Sequence, residues 1–366
     1  MKIEILKENL EQAVQVAAKI SNKNLSLPVL SCVLLSVDSG KAELKATNLD
    51  LSVQVTLKAK VSEGGVIAVP AHVLAQTISA LTDQKLILKT SGNNLVIDGE
   101  RGTTSITLVD PSEFPTLPHV KKGGGAEISL SAHTFAAALR SVAFSASTSS
   151  VKPELASIYL SLEKGELVAA ATDSFRLAES RIPVKAKGSL SSVLLPARNI
   201  ADIIRALEGS GEVEIRVGDN QASFVSDFGC ITSRTIDGAF PDYRAVIPRD
   251  FVASATCLKE DAVKAFRKIS IFLDSFSQVH ISIKPSEKTF TVSAVNASVG
   301  ETVDHIPAAL DGEDIDINFN ARYITEALSI VSGDSVTFSI AGQGRPMVLS
   351  DVPHKGFTYL VMPMNR

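Results

Sequence analysis

The side chains able to do covalent or metal chemistry are all present in this sequence, but none stands at a working spacing. Six histidines, His72, His119, His133, His280, His305 and His354, are scattered over 366 residues. No two fall in a His-x-x-x-His or His-Glu-x-x-His pattern, which would place two imidazoles on one helix face as zinc ligands. Cys32, Cys230 and Cys257 are odd in number, far apart and without Cys-x-x-Cys spacing. They read as small core residues and not as a disulfide framework or a zinc site. There is no Gly-x-Ser-x-Gly elbow, no glycine-rich loop before Lys-Ser/Thr and no Gly-x-Gly-x-x-Gly. The acidic pairs Asp314/Asp316 and Asp110/Glu113 read as solvated carboxylates on a strand or loop. The sequence therefore assigns no catalytic residue, no metal and no cofactor.

Composition bounds the remaining choices. With 45% apolar and 21% charged residues, the chain has enough apolar surface to offset the entropy of ordering its backbone. Its length suits two or three domains at roughly 100–200 residues each. No apolar run approaches the roughly 20 residues of a membrane helix, and Met1-Lys2-Ile3-Glu4-Ile5 reads as a strand instead of a signal sequence. A cytoplasmic protein is expected. The net charge of −4 argues against a protein that coats DNA.

The elements are organised by an internal repeat with a period near one third of the chain. One marker is an apolar strand running into a helix: Gly65 to Ala71, Ser192 to Ala197 and Ile315 to Ala321. Pro70 and Pro196 fit the first helical turn, where a missing N–H is no loss, and Asn320 can cap the third copy. A second marker is Ala46-Thr47-Asn48, Ala171-Thr172-Asp173 and Ala294-Val295-Asn296, each closing a strand. The third is a short strand followed by an amphipathic helix, over Ile3 to Ile20, Ile128 to Ala143 and Ala253 to Ile271.

Period-two segments such as Glu212-Val213-Glu214-Ile215-Arg216 and Val336-Thr337-Phe338-Ser339-Ile340 fill the intervals as strands. The expectation is three homologous α+β domains, 1–122, 126–249 and 250–366, each with two helices and about eight strands. Lys121-Lys122-Gly123-Gly124-Gly125 and Pro248-Arg249-Asp250 mark the two boundaries.

Helical wheels separate charge from apolar faces. Ile200, Ile203, Ile204 and Leu207 form a stripe opposite Arg198 and Arg205. Val263, Phe266 and Ile269 point inward while Lys264, Arg267 and Lys268 share the outer face. Phe135, Leu139 and Val142 are buried and His133 and Arg140 turned out. The helices near 71–82 and 321–332 offer only His72 and Arg322. Six helices at equivalent places in three repeats can line one sparsely basic surface. Such a surface attracts phosphates without reading bases and suits a partner that slides.

Three stretches carry a family resemblance: Ala171-Thr172-Asp173-Ser174-Phe175-Arg176-Leu177-Ala178, Asp237-Gly238-Ala239-Phe240-Pro241-Asp242-Tyr243-Arg244, and Tyr359-Leu360-Val361-Met362-Pro363-Met364. With the length and the repeat, they resemble the bacterial DNA polymerase III beta subunit, the sliding clamp, a non-catalytic processivity factor. The resemblance implies a homodimer closed head to tail into a six-domain ring, helices inside and sheets outside, encircling duplex DNA. Arg140, Arg198, Arg205, Lys264, Arg267 and Lys268 would face DNA, and Ile106 and Leu108 of one chain would meet Phe272 and Leu273 of the other.

It also implies a cleft for partner peptides, formed by Leu155, Thr172, Ser174, Phe175, Arg176, Leu177, Pro241, Ala245, Val246, Pro346, Leu360, Val361, Met362, Pro363 and Met364. Polymerase III alpha subunit, the clamp loader and other clamp-binding-motif proteins would insert a peptide with Gln and Leu/Phe anchors there. Phe175 stands where many relatives carry His or another polar residue, Ala245 where some carry Arg, and Pro346 where some carry Ser. The competing readings are a β-rich scaffold that binds proteins without DNA, and a nuclease or transferase. The basic helix faces disfavour the first, and the missing catalytic spacings disfavour the second.

Overall fold

The computed structural model describes residues 1–21, 27–38, 40–123, 126–187, 190, 192–352 and 356–364. His354, Gly124 and Gly125 lie outside the described residues. In the first third, the elements are β1 (Lys2–Leu6), α1 (Lys7–Ile20), β2 (Cys32–Asp38), β3 (Lys41–Thr47), β4 (Leu51–Leu57), β5 (Ala59–Glu63), β6 (Gly65–Pro70), α2 (Ala71–Ala80), β7 (Lys85–Ser91), β8 (Asn94–Asp98) and β9 (Thr103–Thr107). The second third repeats the order as β10 (Ala126–Ser131), α3 (Ala132–Ala143), β11 (Ser157–Glu163), β12 (Glu166–Thr172), β13 (Arg176–Pro183), β14 (Lys185–Lys187), β15 (Val193–Pro196), α4 (Ala197–Leu207), β16 (Glu212–Val217), β17 (Gln221–Val225) and β18 (Cys230–Arg234). The last third is β19 (Ala253–Leu258), α5 (Lys259–Ile269), β20 (Gln278–Lys284), β21 (Thr289–Asn296), β22 (Gly300–His305), β23 (Ala308–Gly312), β24 (Ile315–Asn320), α6 (Ala321–Ile330), β25 (Ser335–Ile340), β26 (Met347–Val352) and β27 (Phe357–Val361).

Two helices per repeat agree with the sequence reading, and the described strands number nine per repeat against the expected eight. The additional strand is the short edge strand β5, β14 or β23, which pairs with the first strand of its repeat. Pro70 and Pro196 sit one residue earlier than expected: each ends its strand and occupies the N-cap of the following helix without a side-chain bond. Asn320 caps α6 as its type allows, accepting from the backbone N–H of Arg322 at 3.0 Å.

The chain divides into two compact units, Met1–Ala137 with Val184–Ile236, and Ala138–Pro183 with Asp237–Arg366. The cut passes through the middle repeat because that repeat lends a strand to each neighbour. In the first unit, β18 pairs antiparallel with β4, giving the run β14-β10-β16-β17-β18-β4-β3-β2-β6 beside a separate sheet β5-β1-β7-β8-β9. In the second unit, β13 pairs with β27 in the run β11-β12-β13-β27-β26-β25-β19-β23, beside β22-β21-β20-β24.

Helices cover the sheets with their apolar stripes. In the first unit α1 packs on α2, α4, β3 and β4. Leu10, Val14 and Ala17 of α1, and Ile200, Ile203, Ile204 and Leu207 of α4, are buried. Each buried Leu, Ile or Val among them contributes about 1.5–3 kcal/mol relative to exposure. In the second unit Phe266 of α5 stacks on Phe338 at 6.3 Å, and Phe290 lies 5.4 Å from the same ring. Val263 is only partly buried. Ala262 and Ala265 take the inward places beside Phe266 and Ile269, because the wheel favoured bulky residues over small ones that sit closer to the sheet.

The second marker folds into one turn in its two Ala-Thr-Asx copies. The Thr47 hydroxyl donates to Leu51 O at 2.9 Å, while Asn48 Oδ1 accepts from the N–H groups of Asp50 and Leu51. The Thr172 hydroxyl donates likewise to Arg176 O at 2.6 Å, and Asp173 Oδ1 accepts from Phe175 and Arg176. The residue between, Leu49 at φ 78° or Ser174 at φ 79°, is held in the left-handed region by these bonds. The third copy differs: Asn296 donates to Leu273 O at 2.7 Å and accepts from Ser298 N.

Candidate functional site

Four neighbouring strands of the second unit place Thr172, Leu177, Leu360 and Val348 directly across from one another, on β12, β13, β27 and β26. Side chains alternate along a strand, so this register puts all four on one face. Leu177 and Leu360 are each 2% exposed and form a cluster with Ala170, Val348 and Tyr243, against which Tyr159, Phe240, Ile247 and Met362 pack. The aromatic rings make a wall: Tyr159 lies 5.1 Å from Phe240 and 6.1 Å from Tyr243, and Phe240 lies 5.8 Å from Tyr243. Around it stand exposed apolar groups, Phe175 at 63% and Val246 at 52%. Ser174, Pro241 and Ala245 are also exposed, and Pro346, Met362, Pro363 and Met364 are half-buried.

The chain's last described residues are tied down on both sides. Met362 N–H donates to Phe175 O and Met364 N–H to Asn318 O, both at 2.8 Å. An apolar end that would otherwise fray is thus a fixed edge of the cluster.

The same alternation sends two of the expected cleft residues the other way. Arg176 and Val361 are cross-strand partners on the opposite face. Val361 is fully buried, and the Arg176 guanidinium lies over the rings of Tyr323, at 4.4 Å, and Phe144, at 5.5 Å, while pairing with Asp173 and Glu326. Burial opposes its charge, but these carboxylates hold its pKa above the ordinary value. Leu155 is buried in the turn before β11, where its carbonyl accepts from Ser147 N, and is not a member of the cluster. Sequence reasoning missed Ala170, Tyr243, Val348, Phe240, Tyr159 and Ile247 as members. Phe240 and Tyr243 lay within a quoted motif, and Val348 follows from period two on β26 once its neighbour is known.

Charge beneath the aromatic wall is concentrated on Glu179, 6% exposed and two residues beyond Leu177 on the same face. Arg181 grips it with two bonds, at 2.8 and 2.9 Å, and the Tyr243 hydroxyl donates to it at 2.6 Å. Burial and the Glu179 bond push the Tyr243 phenol well above its usual range, and the bond to Glu179 raises Arg181. An apolar row with a fixed aromatic wall and exposed apolar side chains at its rim is equipped for binding a chain segment by its apolar side chains.

The helix cations expected to meet DNA are more engaged than a wheel can reveal. Arg198 pairs with Asp50 at 2.8 Å, Arg205 with Asp202 at 2.5 Å, Lys264 with Glu260, and Lys268 with Asp304 at 3.3 Å. Arg140, Lys264, Arg267 and Lys268 are exposed. At the expected joint, Ile106 is buried in its own sheet opposite Leu95, and Leu108, Phe272 and Leu273 are half-buried. The large exposed apolar groups nearby in sequence are Ile271, Phe276, Val295, Val299 and Val303, none of which was assigned to the joint from sequence.

Burial raises all three thiols, Cys257 to about 12. Among the described residues, no group of three or more His, Cys, Asp and Glu could hold a metal, and no helix is long and apolar enough to cross a membrane.

Known proteins share this architecture from end to end. A DNA polymerase III beta subunit crystal structure from Thermotoga maritima superposes with a TM-score of 0.94 at 22% identity, covering 100% of this chain and 99% of that one. A sliding clamp from Pseudomonas aeruginosa bound to griselimycin gives 0.94 at 23%, covering all of both chains. At that identity the likeness establishes the fold. In sequence, beta sliding clamps of Caulobacter vibrioides and Synechococcus elongatus are each 29% identical over 100% of this chain, and 100% and 99% of the relatives. Family models for the N-terminal, central and C-terminal domains of the DNA polymerase III beta subunit match residues 1–118, 129–242 and 244–365 in that order. Since those three models together span nearly the whole chain, it belongs to the DNA polymerase III beta subunit family, the non-catalytic sliding clamps of that polymerase.

Proposed function

We propose that two copies of this chain close head to tail into a six-domain ring around duplex DNA and carry partner peptides in the cleft of the second unit. The observation that supports closure is a strand count. Repeats one and two join through β4 and β18, and repeats two and three through β13 and β27. By the same repeat logic the third joint needs β22 and β9, and these are the end strands of their own sheets, unpaired on one side. A second copy supplies both missing partners, and two such joints leave no open edge of this kind. Ile106, Leu108, Phe272 and Leu273 flank these edges, and the exposed Val295, Val299 and Val303 extend the surface.

The domain limits in this reading are 1–122, 126–249 and 250–366. Arg140, Arg198, Arg205, Lys264, Arg267 and Lys268 face the duplex and hold it loosely, four of them tempered by carboxylates. Retention is topological, so a mildly basic lining suffices and the net charge of −4 limits binding elsewhere. The cleft receives the polymerase III alpha subunit, the clamp loader and other clamp-binding-motif proteins through Gln and Leu/Phe anchors. The adaptable thioethers of Met362 and Met364 at its edge suit several ligands in turn. The protein acts in the cytoplasm, at the nucleoid during replication.

The test is retention on DNA. After loading, the protein should stay on a nicked circle through gel filtration and leave within the same run once the circle is linearised. Equal retention on both forms would contradict encirclement.

A further inference from the structure

We propose that Glu179 is a positioning residue for the cleft: its buried carboxylate, clamped by Arg181, fixes the Tyr243 phenol and so the aromatic wall against which a partner's anchor side chain packs. This rests on the peptide-cleft reading above and adds to it a device that sets affinity.

The geometry carries it in three steps. Glu179 follows Leu177 on the same strand face, with Ala170 as its cross-strand partner on β12. Ala170 is small, and Tyr243 packs in the same cluster. Both carboxylate oxygens are engaged, one by Arg181 Nε and the other by Arg181 Nη2 and the Tyr243 hydroxyl. The phenol is thereby held in one orientation. Tyr243 opens the short turn Tyr243–Val246, which bears the exposed rim residues Ala245 and Val246. Arg244 of the same turn lies over the Tyr243 ring at 5.0 Å and bonds Glu163, which also approaches Arg181 at 3.6 Å. The rim and the wall therefore hang on one charged loop that runs from Glu179 through Arg181, Glu163 and Arg244 back to Tyr243.

Filling space alone does not account for this arrangement. Replacing a buried ion pair by apolar side chains of similar volume is often neutral or stabilising, whereas a charged pair adds direction. Direction matters to a ligand because apparent affinity falls with the fraction of molecules holding the competent conformation.

The experiment is a double-mutant cycle read by fluorescence anisotropy with a labelled peptide carrying Gln and Leu/Phe anchors, alongside melting temperature and light scattering. Tyr243→Phe keeps the ring and removes only the hydroxyl. It should weaken the peptide about tenfold, as expected if the competent conformation falls to a tenth. Glu179→Ala should do the same, the double variant should be no weaker than either single one, and Glu179→Gln, which can still accept the phenol's bond, should stay within about threefold of the parent. If Tyr243→Phe binds as the parent does, or the double variant loses the product of the two single losses, the positioning role is wrong. Should Glu179→Ala fail to fold, Tyr243→Phe and Glu179→Gln still decide the question. Leu177→Lys separates the two layers. Its loss of binding with an unchanged Tyr243→Phe overturns Glu179 alone, and unchanged binding by Leu177→Lys overturns the cleft and the positioning role together.

Discussion

Two rows of side chains occupy the same place in the two units and have opposite chemistry. Across β3, β4, β18 and β17 the cross-strand partners are Thr47, Ser52, Thr232 and Ser223. Across β12, β13, β27 and β26 they are Thr172, Leu177, Leu360 and Val348. Both rows begin at the same threonine turn. In the first unit the hydroxyls satisfy one another and the backbone: Ser223 and Thr232 are 2.8 Å apart, and Ser223 accepts from Val120 N–H at 2.9 Å. Val120 is itself buried, so the segment before the second repeat closes that row. In the second unit the corresponding segment brings Phe240 and Tyr243 beside the row and leaves Phe175 and Val246 in solvent. One junction is a finished core and the other leaves apolar side chains in solvent, the feature on which the proposed cleft rests.

The comparison can be broken in order of effect. Converting the apolar row towards its polar counterpart, with Leu177→Ser and Leu360→Thr, should weaken an anchor peptide about 100-fold, since buried apolar anchors dominate such interfaces. Anisotropy titration measures it, and a loss under threefold would mean that the row is not the contact.

Alkaline unfolding should strike one unit first. All four tyrosines, at 159, 243, 323 and 359, lie in the second unit. Burial raises Tyr243, Tyr323 and Tyr359, Tyr243 from an ordinary 10.0. Above about pH 10 the unfolded chain releases phenol protons that the native state keeps, so stability present below that pH declines as pH rises. Hydrogen exchange across pH 9–11.5 should show β13 and β27 losing protection before β4 and β18, and the reverse order would contradict the assignment.

A third variant addresses the closed row. Ser223→Ala leaves the buried Val120 N–H without its acceptor, at a cost of about 1–3 kcal/mol, and should lower the melting temperature without changing peptide affinity. The smallest effect is shared: Thr47→Ala and Thr172→Ala each remove one turn bond worth about 1 kcal/mol. Near-equal melting shifts would show that the two turns are energetically alike although only one borders the proposed cleft.

Much of the fold was legible because repetition multiplies weak signals. Two strand-ending prolines and Asn320 marked three helix starts, and the stripe Ile200, Ile203, Ile204 and Leu207 gave a helix face that is buried as drawn. The site was legible only where it is local. Leu177, Leu360, Met362 and Tyr243 fall within motifs, whereas the bond from Tyr243 to Glu179 joins residues 64 apart and leaves no local mark. Arg176 and Val361 were grouped with the cleft by the family resemblance alone. Strand alternation sends them to the opposite face. The helix cations looked free because a wheel shows one element at a time, while Arg198 meets Asp50 from 148 residues away.

The most direct test is to locate the peptide. A Gln and Leu/Phe anchor peptide carrying a photoreactive group at its apolar end, irradiated with the intact protein and mapped by mass spectrometry, should label the segments around Thr172–Leu177, Tyr243–Val246 and Leu360–Met364. Labelling centred on Thr47–Ser52 or Thr232, or spread evenly over both units, would contradict the account.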